Sequence, residues 1–418
     1  MTANPHADLA KAGLGGYDIS LTDYADVIEA MRSSKFVTLI NDGTQPFRAG
    51  TVLRIEGPDH RTRRQTMGTL LRGDGRNSFH EKVVLPTIAN NIDRLYREAG
   101  SDRRPRFDLV TLAANFFFQN AAALIGLDVH GTAAAEELRK FCEPLISAMA
   151  GHMEWRDREA RVQRGVVAKQ ELWDKYYSPA LAHHEPLRRR VEAGDLAAED
   201  MPRDLLTLIV SDLDPNWSAE PELGMREALT DILGAGTTSS SLTAVWAVHD
   251  LLTWSAGDAE RRRLIFDDEF LARAVHETLR LHSLVPFLWR QATEDVTLAS
   301  GTEVKKGQSV LMEIGVASRD ESVFGPDADT FNPYRSLPPK TYPYGLAFGS
   351  GRHMCYGMPV VLGNAGVHGS HGALVKALFA AGISGDPDNP PRKAESTLRD
   401  NWATYPVILQ PDAQERDS

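Results

Sequence analysis

The sequence predicts a mainly α-helical fold with a smaller β-rich region. Apolar residues recur at three- and four-residue spacing in several long stretches, which is typical of helices with one buried face. These stretches are residues 24–31, 109–127, 138–149 and 271–281. Strand-like segments are short and few by comparison. A chain of 418 residues is also long enough to bury a sizeable core.

The segments between these helices have the composition of turns and connections. Residues 296–301 and 309–312 flank the turn-like residues 305–308, so we predict that the two segments pair as a hairpin. Residues 192–203 and 212–222 are rich in acidic residues, Pro and Gly, which predicts solvated connections on either side of the short apolar piece 205–210. The polar end after Pro411 is predicted to be frayed.

Composition and charge exclude several classes of function. The 42% hydrophobic and 25% charged composition is that of an ordinary soluble protein, and the net charge of −11 argues against nucleic acid or an anionic membrane as a general partner. The apolar stretch 109–127 is interrupted by three side-chain amides, as in a buried helix rather than a membrane span. Two cysteines exclude a disulfide scaffold and predict a reducing, cytoplasmic setting.

The most informative segment surrounds Cys355, in the run Phe348-Gly349-Ser350-Gly351-Arg352-His353-Met354-Cys355-Tyr356-Gly357. Glycines let the backbone approach a flat partner closely, and their amides can point at a sulfur that must stay deprotonated to ligate iron. The five fixed positions Phe-x-x-Gly-x-His-x-Cys-x-Gly are expected by chance about once in a million windows. A buried structural cysteine in a tight turn is the alternative.

This run is the heme-binding loop signature of the cytochrome P450 family, and the chain resembles that family over nearly its whole length. The resemblance implies one P450 domain over residues 1–418, with heme b buried between a long distal helix and the cysteine loop. Cys355 would ligate the iron, and Phe348, Gly349 and Gly357 would contact the cofactor. Only 16 residues precede Tyr17, where relatives usually have a helix and two strands. We therefore expect a shortened N-terminal β-rich part and a more open substrate entrance, in a protein similar to the soluble bacterial type.

A second motif, Glu277-Thr278-Leu279-Arg280, supplies opposite charges three residues apart on one helical face. Such pairs are common and individually contribute little. In the family, this pair joins a third polar residue in the meander that precedes the cysteine loop. The resemblance assigns Glu277 and Arg280 that structural role, with Arg335 as the third partner.

The two propionates of heme must be neutralised when the porphyrin is buried, so basic residues should converge on them. His60 and Arg64 are four residues apart on one helical face, as in the first heme-contacting helix of the family. Arg290 follows Arg280 by ten residues, where relatives have a propionate-binding arginine, and His353 fills a position that relatives occupy with Arg or His. The alternative for each is a surface base.

Residues 228–242 resemble the distal helix of the family, and Gly234 and Gly236 lie inside it. Each glycine destabilises a helix by about 1 kcal/mol relative to Ala, and in the family such glycines leave room for dioxygen. Alignment on Gly236 places Thr238 at the position of the usual acid and Ser239 at the position of the usual threonine. The resemblance therefore predicts Gly236, Thr238 and Ser239 as the catalytic residues.

The replaced acid leaves the proton route open. Ser239 keeps an exchangeable hydroxyl, but Thr238 cannot act as a carboxylic acid, so protons would enter through water, Thr237 or Thr238, or a substrate group. Asp231 is seven residues upstream of Thr238 on a similar face. The alternative is that these hydroxyls bond to the helix's own carbonyls and bend it.

The apolar segment after Arg280 matches a substrate-contacting segment of the family and predicts a hydrophobic substrate, although such a stretch is more often plain core. The predicted substrate residues are Leu284, Val285, Phe287 and Leu288. The resemblance as a whole implies a heme-thiolate monooxygenase that uses dioxygen to hydroxylate or otherwise oxidise a small or medium organic molecule. Electrons would come from an NAD(P)H-dependent reductase through a ferredoxin or flavodoxin, which could dock on basic residues at the proximal face. The candidates for that docking are Arg61, Arg63, Arg72 and Arg352.

Three alternatives stay open at this point. The missing distal acid is compatible with an atypical heme-thiolate enzyme that performs peroxide-driven oxidation or oxidative coupling. A noncatalytic heme-based ligand sensor is a second alternative, and a protein without heme is a third.

Overall fold

The computed structural model describes residues 16–38, 44–100, 104–129, 131–149, 157–364, 367–395 and 397–410. Helices dominate these ranges, which confirms the predicted fold class. The first 15 residues and the end after Pro411 lie outside the described residues, so the shortened N-terminal part and the frayed end stay predictions. No helix within the described ranges is long and apolar enough to span a bilayer.

The helices are distributed along the chain from residue 24 to residue 380. The α-helices are α1 (Tyr24–Arg32), α2 (Gln45–Arg48), α3 (Gly57–Leu71), α4 (Gly73–Phe79), α5 (Leu85–Ala99), α6 (Leu109–Ile125), α7 (Thr132–Met149), α8 (Arg158–Leu172), α9 (Ser178–Glu192), α10 (Leu205–Val210), α11 (Pro215–Ala219), α12 (Pro221–Glu227), α13 (Thr238–Trp254), α14 (Ala259–Leu264), α15 (Asp268–Leu281), α16 (Ile314–Ala317), α17 (Glu321–Phe324), α18 (Met358–Leu362) and α19 (Ser370–Ala380). Wider π-helical turns extend several of them, at His80–Val84, Trp173–Tyr177 and Ala228–Thr237. Short 3-10 turns form at Ala198–Asp200 and Gly351–His353.

The strands are short and form one larger and several small sheets. They are β1 (Ile19–Leu21), β2 (Phe36–Thr38), β3 (Arg106–Asp108), β4 (Phe287–Ala292), β5 (Val296–Thr297), β6 (Glu303–Val304), β7 (Ser309–Glu313), β8 (Gly363–Asn364), β9 (Val367–His368), β10 (Ile383–Gly385), β11 (Arg392–Lys393), β12 (Trp402–Thr404) and β13 (Pro406–Leu409). The four-stranded sheet has the order β1-β7-β4-β2, in which only the β1–β7 pair is parallel. This sheet therefore ties the N-terminal strands to residues 287–313.

The predicted hairpin is wrong in its partner. Strand β5 pairs with β6 in register Val296↔Val304, whereas β7 pairs with β4 along Phe287↔Glu313. The apolar segments that form β5 and β7 look alike in sequence. In the described structure, however, Val310, Leu311 and Met312 of β7 are all fully buried, as expected of a strand in the middle of a sheet. A central strand needs a partner on each side, and β5 does not provide one.

The prediction of a solvated connection over residues 212–222 is also wrong in part. Asp214 accepts a hydrogen bond from the amide of Asn216 at 3.0 Å and so caps α11. Trp217, on α11, is only 1% exposed and joins the core around α10. The Pro and acidic residues that suggested a loop mark the first turns of two short helices.

The four long helices predicted from periodicity are confirmed, with shifted ends. Helix α6 ends at Ile125 because Gly126 takes a left-handed conformation, with a φ of 96°. A side chain at this position would also clash, since a Cβ on Gly126 would lie 2.7 Å from Cγ of Asp204. The start of α6 is capped by Asp108, whose carboxylate accepts from the amides of Val110 and Thr111. Helices α6 and α13 pack against each other and place the distal segment in the middle of the helical body.

Candidate functional site

The cysteine loop brings the thiol of Cys355 under two backbone amides. The Cys355 amide donates to the carbonyl oxygen of Phe348 at 2.8 Å, which closes the loop. Gly349 and Gly351 have φ of 65° and 73°, values that other residues rarely adopt, and a Cβ on Gly351 would lie 2.8 Å from the carbonyl oxygen of Met31. The glycines are therefore required by the backbone path of the loop.

The electrostatics of the thiol suit a metal ligand. Cys355 is accessible, whereas Cys142 is buried, yet Cys355 lies deep enough that burial raises its pKa. The amides of Gly357 and Met358 and the Arg64 guanidinium oppose that rise in pKa, because they stabilise the thiolate. A metal cation at the sulfur would complete the deprotonation.

The predicted triad behind the loop is confirmed. Arg280 forms a bidentate pair with Glu277, with Nε to Oε2 and Nη2 to Oε1 both at 2.8 Å. Arg335 adds a contact from its Nη2 to Oε1 of Glu277 at 3.0 Å, and Arg280 also donates to the carbonyl oxygen of Ser318. Glu277 is 3% exposed and Arg280 is fully buried. The triad thus joins α15 to the segment that precedes the loop.

Two of the predicted propionate-binding bases lie side by side. The ring centroids of His60 and His353 are 4.4 Å apart, and Nε2 of His60 is buried without a hydrogen-bond partner among the described residues. Burial, together with His353 and Arg64, lowers the pKa of His60 to about 4. Glu56, which the sequence analysis missed, accepts from His353 Nε2 at 3.0 Å and Arg352 Nε at 2.7 Å.

Among the predicted propionate-binding bases, Arg290 has the charge that nearby acidic groups compensate least. It is 7% exposed, and its Nη1 donates only to the carbonyl oxygen of Trp289, 2.9 Å away, within the described structure. Burial lowers its pKa to about 10, against a smaller opposing effect of Glu56. A cluster in which basic groups outnumber the one carboxylate fits a ligand with two carboxylates, as heme has.

Arg64 points from α3 to the cysteine loop. Its Nη2 donates to the carbonyl oxygen of Met354 at 2.6 Å, and its guanidinium carbon lies 5.6 Å from the ring centroid of Tyr356. His60 and Arg64 therefore both approach the loop, as their four-residue spacing on α3 predicts.

The docking prediction is wrong for Arg63. Its side chain is 2% exposed, and it forms ion pairs with Asp214 at 2.7 Å and Glu227 at 3.0 Å. Arg352 is half-buried against Glu56, so its charge is also compensated. Arg61 and Arg72 are exposed. Arg63 follows His60 by three residues, on a neighbouring part of the same helical face, and both side chains are covered, which the sequence did not show.

The distal segment is a π-helical stretch that becomes an α-helix at Thr238. Ser239 Oγ donates to the carbonyl oxygen of Ala235 at 2.6 Å, Thr237 Oγ1 to that of Leu233, and Ser241 Oγ to that of Thr238 at 3.0 Å. This is the back-bonding arrangement weighed as the alternative. The catalytic roles of Gly236, Thr238 and Ser239 stay predictions.

The two distal glycines have different surroundings. A Cβ on Gly234 would lie 2.8 Å from Cε of Met149 and 3.0 Å from the carbonyl oxygen of Leu229, so close packing explains this glycine. Beyond its own helical turn, a Cβ on Gly236 would meet only the carbonyl oxygen of Asp231, at 3.4 Å, among the described residues, and both Ala235 and Gly236 are exposed. Gly236 thus borders open space, as its predicted role requires.

The predicted substrate segment divides between two faces of β4. Phe287 packs with Leu311 and Trp289, whereas Leu288 packs against the core that includes Leu21. Leu284 is buried and Val285 is partly buried. The alternation of a strand separates Phe287 from Leu288, and their roles toward a substrate stay predictions.

The profile of the family described as Cytochrome P450 matches residues 267–361. The match covers the Glu277 triad and the whole cysteine loop.

Three curated relatives extend the comparison. Trimethyltridecatetraene synthase of Zea mays is 30% identical over 249 residues, which are 51% of this chain and 45% of the relative. Putative cytochrome P450 140 of Mycobacterium tuberculosis is 25% identical over 383 residues, 88% of this chain and 76% of the relative. Steroid C26-monooxygenase of Mycolicibacterium smegmatis is 27% identical over 282 residues, which are 65% of this chain and 60% of the relative. The chain thus spans about half the length of the maize relatives it matches, 45% and 46%.

Solved structures share the fold. CalO2 superimposes with a TM-score of 0.69 at 19% identity, over 95% of this chain and 92% of that one. CYP109E1 from Bacillus megaterium, in complex with testosterone, superimposes with a TM-score of 0.69 at 17% identity, over 98% of this chain and 100% of that one. At these identities the likeness establishes the architecture of the chain.

Proposed function

Because this chain belongs to the cytochrome P450 family, we propose that it is a heme-thiolate monooxygenase that inserts one oxygen atom of dioxygen into a small or medium hydrophobic molecule. The observation that carries this proposal is the Cys355 thiol, held in a glycine loop under the amides of Gly357 and Met358. Electrons would come from a separate ferredoxin or flavodoxin and its NAD(P)H-dependent reductase. The two thiols without disulfide partners support a cytoplasmic location.

Heme b is the cofactor of the family, and bound through a thiolate it supplies the activation of dioxygen. Cys355 would ligate its iron, and Phe348, Gly349 and Gly357 would line the proximal side. The bases His60, Arg64, Arg290 and His353 would hold the propionates, since they lie in a cluster with too few carboxylates of its own.

The remaining site residues would position the substrate and exclude water. Leu284, Val285, Phe287 and Leu288 are apolar and follow α15 directly, which supports a hydrophobic substrate. Gly236 would leave room beside the iron. The hydroxyl of Ser239 donates to Ala235, so it would act toward a bound molecule as an acceptor until that hydrogen bond is broken.

The first experiment compares the two cysteines. We expect the reduced carbon monoxide complex of the purified protein to show the shifted Soret band of a thiolate ligand. Cys142→Ala should keep this band, because Cys142 is buried in the helical core, whereas Cys355→Ala should lose it. An unchanged band in Cys355→Ala would refute the ligand assignment. Titration of the ferric protein with a metabolite library would then identify substrates.

The second candidate is a peroxide-driven heme-thiolate enzyme. It is favoured by the absence of an acid at Thr238 and by the Ser239 hydroxyl, which donates back to its own helix. Turnover with hydrogen peroxide, and none with NAD(P)H and redox partners, would establish this candidate over the monooxygenase.

A further inference from the structure

A cavity lies beside α18, the short helix that follows the cysteine loop. Its volume is about 210 Å³, and it is bounded by α4, the π-helical turn His80–Val84, the end of α18 and the pair β8–β9. Among the described residues that line it, none is a predicted heme, substrate or catalytic residue. The cavity is therefore separate from the site of the proposed function.

Two glycines fix the backbone beside the cavity. Gly363 has a φ of 78°, and a Cβ at this position would lie 2.1 Å from the carbonyl oxygen of Val367. A Cβ on Gly369 would lie 2.2 Å from the carbonyl oxygen of Val361. Because only glycine fits at both positions, the chain between α18 and α19 has a defined path along this wall of the cavity.

One part of the lining is apolar. Phe79 and Val84 are buried in the helical core, and Val360 of α18 packs against the same core. An apolar cavity of about 150 Å³ in another protein is large enough to bind benzene. The cavity beside α18 thus has room for one aromatic ring or a branched chain together with a small polar group.

The charged residues of the lining are Arg76 and Glu81. Arg76 is half-buried, and its Nη2 donates to Oδ1 of Asn77 at 2.7 Å, but it forms no ion pair with any described residue. Glu81 is exposed, so water and salt screen its carboxylate. A half-buried guanidinium without an acid gains more from an anionic ligand than a screened carboxylate opposes.

A histidine adds a second polar group to the lining. Neither ring nitrogen of His80 has a hydrogen-bond partner within the described part of the chain. His368, which also lines the cavity, is engaged through its Nε2 with Oδ1 of Asp268 at 2.9 Å. Burial lowers the pKa of His80, and Arg76 and His368 add to this effect against the opposing charge of Glu81. His80 is therefore neutral at pH 7, and its ring N–H can donate to a ligand.

We propose that this cavity binds a small carboxylic acid with an aromatic or branched apolar body. The carboxylate is held by Arg76 and His80, and the apolar body lies against Phe79, Val84 and Val360. This proposal goes beyond the proposed function and does not depend on it, because no predicted heme or substrate residue takes part.

The position of the cavity connects a bound acid to the cysteine loop. Val360 lies on the same five-residue helix as Met358, whose amide stabilises the thiolate form of Cys355. A ligand against Val360 packs onto this helix and stabilises the native protein, because it binds the folded chain and not the unfolded one.

The ligand class is tested with two probes of the same size and opposite charge. Fluorine NMR follows the binding of 4-fluorobenzoate and of 4-fluorobenzylamine to the reduced carbon monoxide complex of the holoprotein, in which carbon monoxide blocks the iron. We expect saturable binding of 4-fluorobenzoate and at least about tenfold weaker binding of the amine. Absence of saturable 4-fluorobenzoate binding, or equal affinity for the amine, would overturn the proposal.

The role of the guanidinium is tested by Arg76→Gln. We expect this variant to bind 4-fluorobenzoate about tenfold more weakly, because a charge-assisted hydrogen bond is lost. Arg97→Gln is the control, since it removes an exposed arginine from α5 and should keep the affinity of the unmodified protein. An unchanged affinity in Arg76→Gln would refute the assignment of the carboxylate to this residue.

The location is tested by filling the cavity from its rim. Val367 is 47% exposed, so Val367→Trp adds volume at the cavity without disturbing the core, and circular dichroism checks that the variant is folded. We expect 4-fluorobenzoate to raise the thermal unfolding midpoint of the unmodified protein and to leave that of Val367→Trp unchanged. Val167→Trp, at an exposed position of α8, should respond as the unmodified protein does. An equal rise of the midpoint in Val367→Trp would mean that the acid binds elsewhere, and the proposal would be refuted.

Discussion

At the scale of single residues, the clearest signal is Arg290, a buried base that forms no ion pair with any of the described residues. Arg290 lies in β4 with one carbonyl as its hydrogen-bond partner, and burial lowers its pKa to about 10. Proteins rarely bury a charge without compensation, because the desolvation of an ion costs several kcal/mol. The burial of Arg290 at that cost supports the proposal that a carboxylate of a bound ligand compensates its charge.

Replacement of Arg290 should therefore have opposite effects on the two forms of the protein. In Arg290→Met we expect the apoprotein to gain about 1–3 kcal/mol in free energy of unfolding, because the desolvated charge is removed. The holoprotein should lose heme to apomyoglobin about tenfold faster, because a charge-assisted hydrogen bond to a propionate is lost. Urea unfolding and heme-transfer kinetics measure the two effects. The exposed Arg61→Gln is the control, and faster heme loss in that variant as well would argue against a specific contact.

At the scale of elements, equal spacing in sequence produces unequal interactions. Glu277–Arg280 and Glu260–Arg263 are both acid–base pairs three residues apart, on α15 and α14. The first pair has side-chain exposures of 4% and 0%, and the second pair 80% and 78%. Burial removes the solvent that screens the first pair, so its loss leaves two arginines, Arg280 and Arg335, without their carboxylate.

The matched variants Glu277→Gln and Glu260→Gln should separate these cases. We expect Glu277→Gln to lower the free energy of unfolding by about 3–5 kcal/mol, because it leaves uncompensated buried charge. Glu260→Gln should change it by less than about 0.5 kcal/mol. Urea unfolding followed by circular dichroism measures both variants. Equal, small effects would mean that the triad does not stabilise the fold.

At the scale of the whole molecule, buried neutral histidines should set its response to acid. His60, His276 and His371 belong to α3, α15 and α19, and burial is the main cause that lowers the pKa of each to about 4. An unfolded histidine binds its proton with a pKa near 6.5. Between these values the unfolded chain binds more protons than the folded one, so stability falls as the pH falls through this window and is retained above it.

We expect the free energy of unfolding to decrease from pH 6.5 to pH 4, the interval between the ordinary and the lowered pKa, and His371→Gln to reduce the slope. One histidine accounts for about 1.4 kcal/mol per pH unit. Urea midpoints at several pH values provide the measurement. If His371→Gln keeps the full slope, this histidine is not among the groups that titrate on acid unfolding.

Sequence alone determined the fold class, the long helices, the Cys355 loop and the Glu277, Arg280 and Arg335 triad. Periodicity and spacing are local properties of the chain, so they can be recognised without knowing which distant residues each segment packs against. The loop and the triad were found through resemblance to a family, which carries long-range information that spacing alone lacks. Helix ends shifted because capping contacts such as that of Gly126 decide them.

Only the tertiary structure decided which side chains are covered and by what. It paired β7 with β4 instead of β5, and it buried Arg63 between Asp214 and Glu227. It also brought Glu56 to His353 and set Asp231 beside Glu227 near the cysteine loop. Burial depends on residues far apart in the chain, and together with the neighbouring Glu227 it raises the pKa of Asp231 well above its usual range.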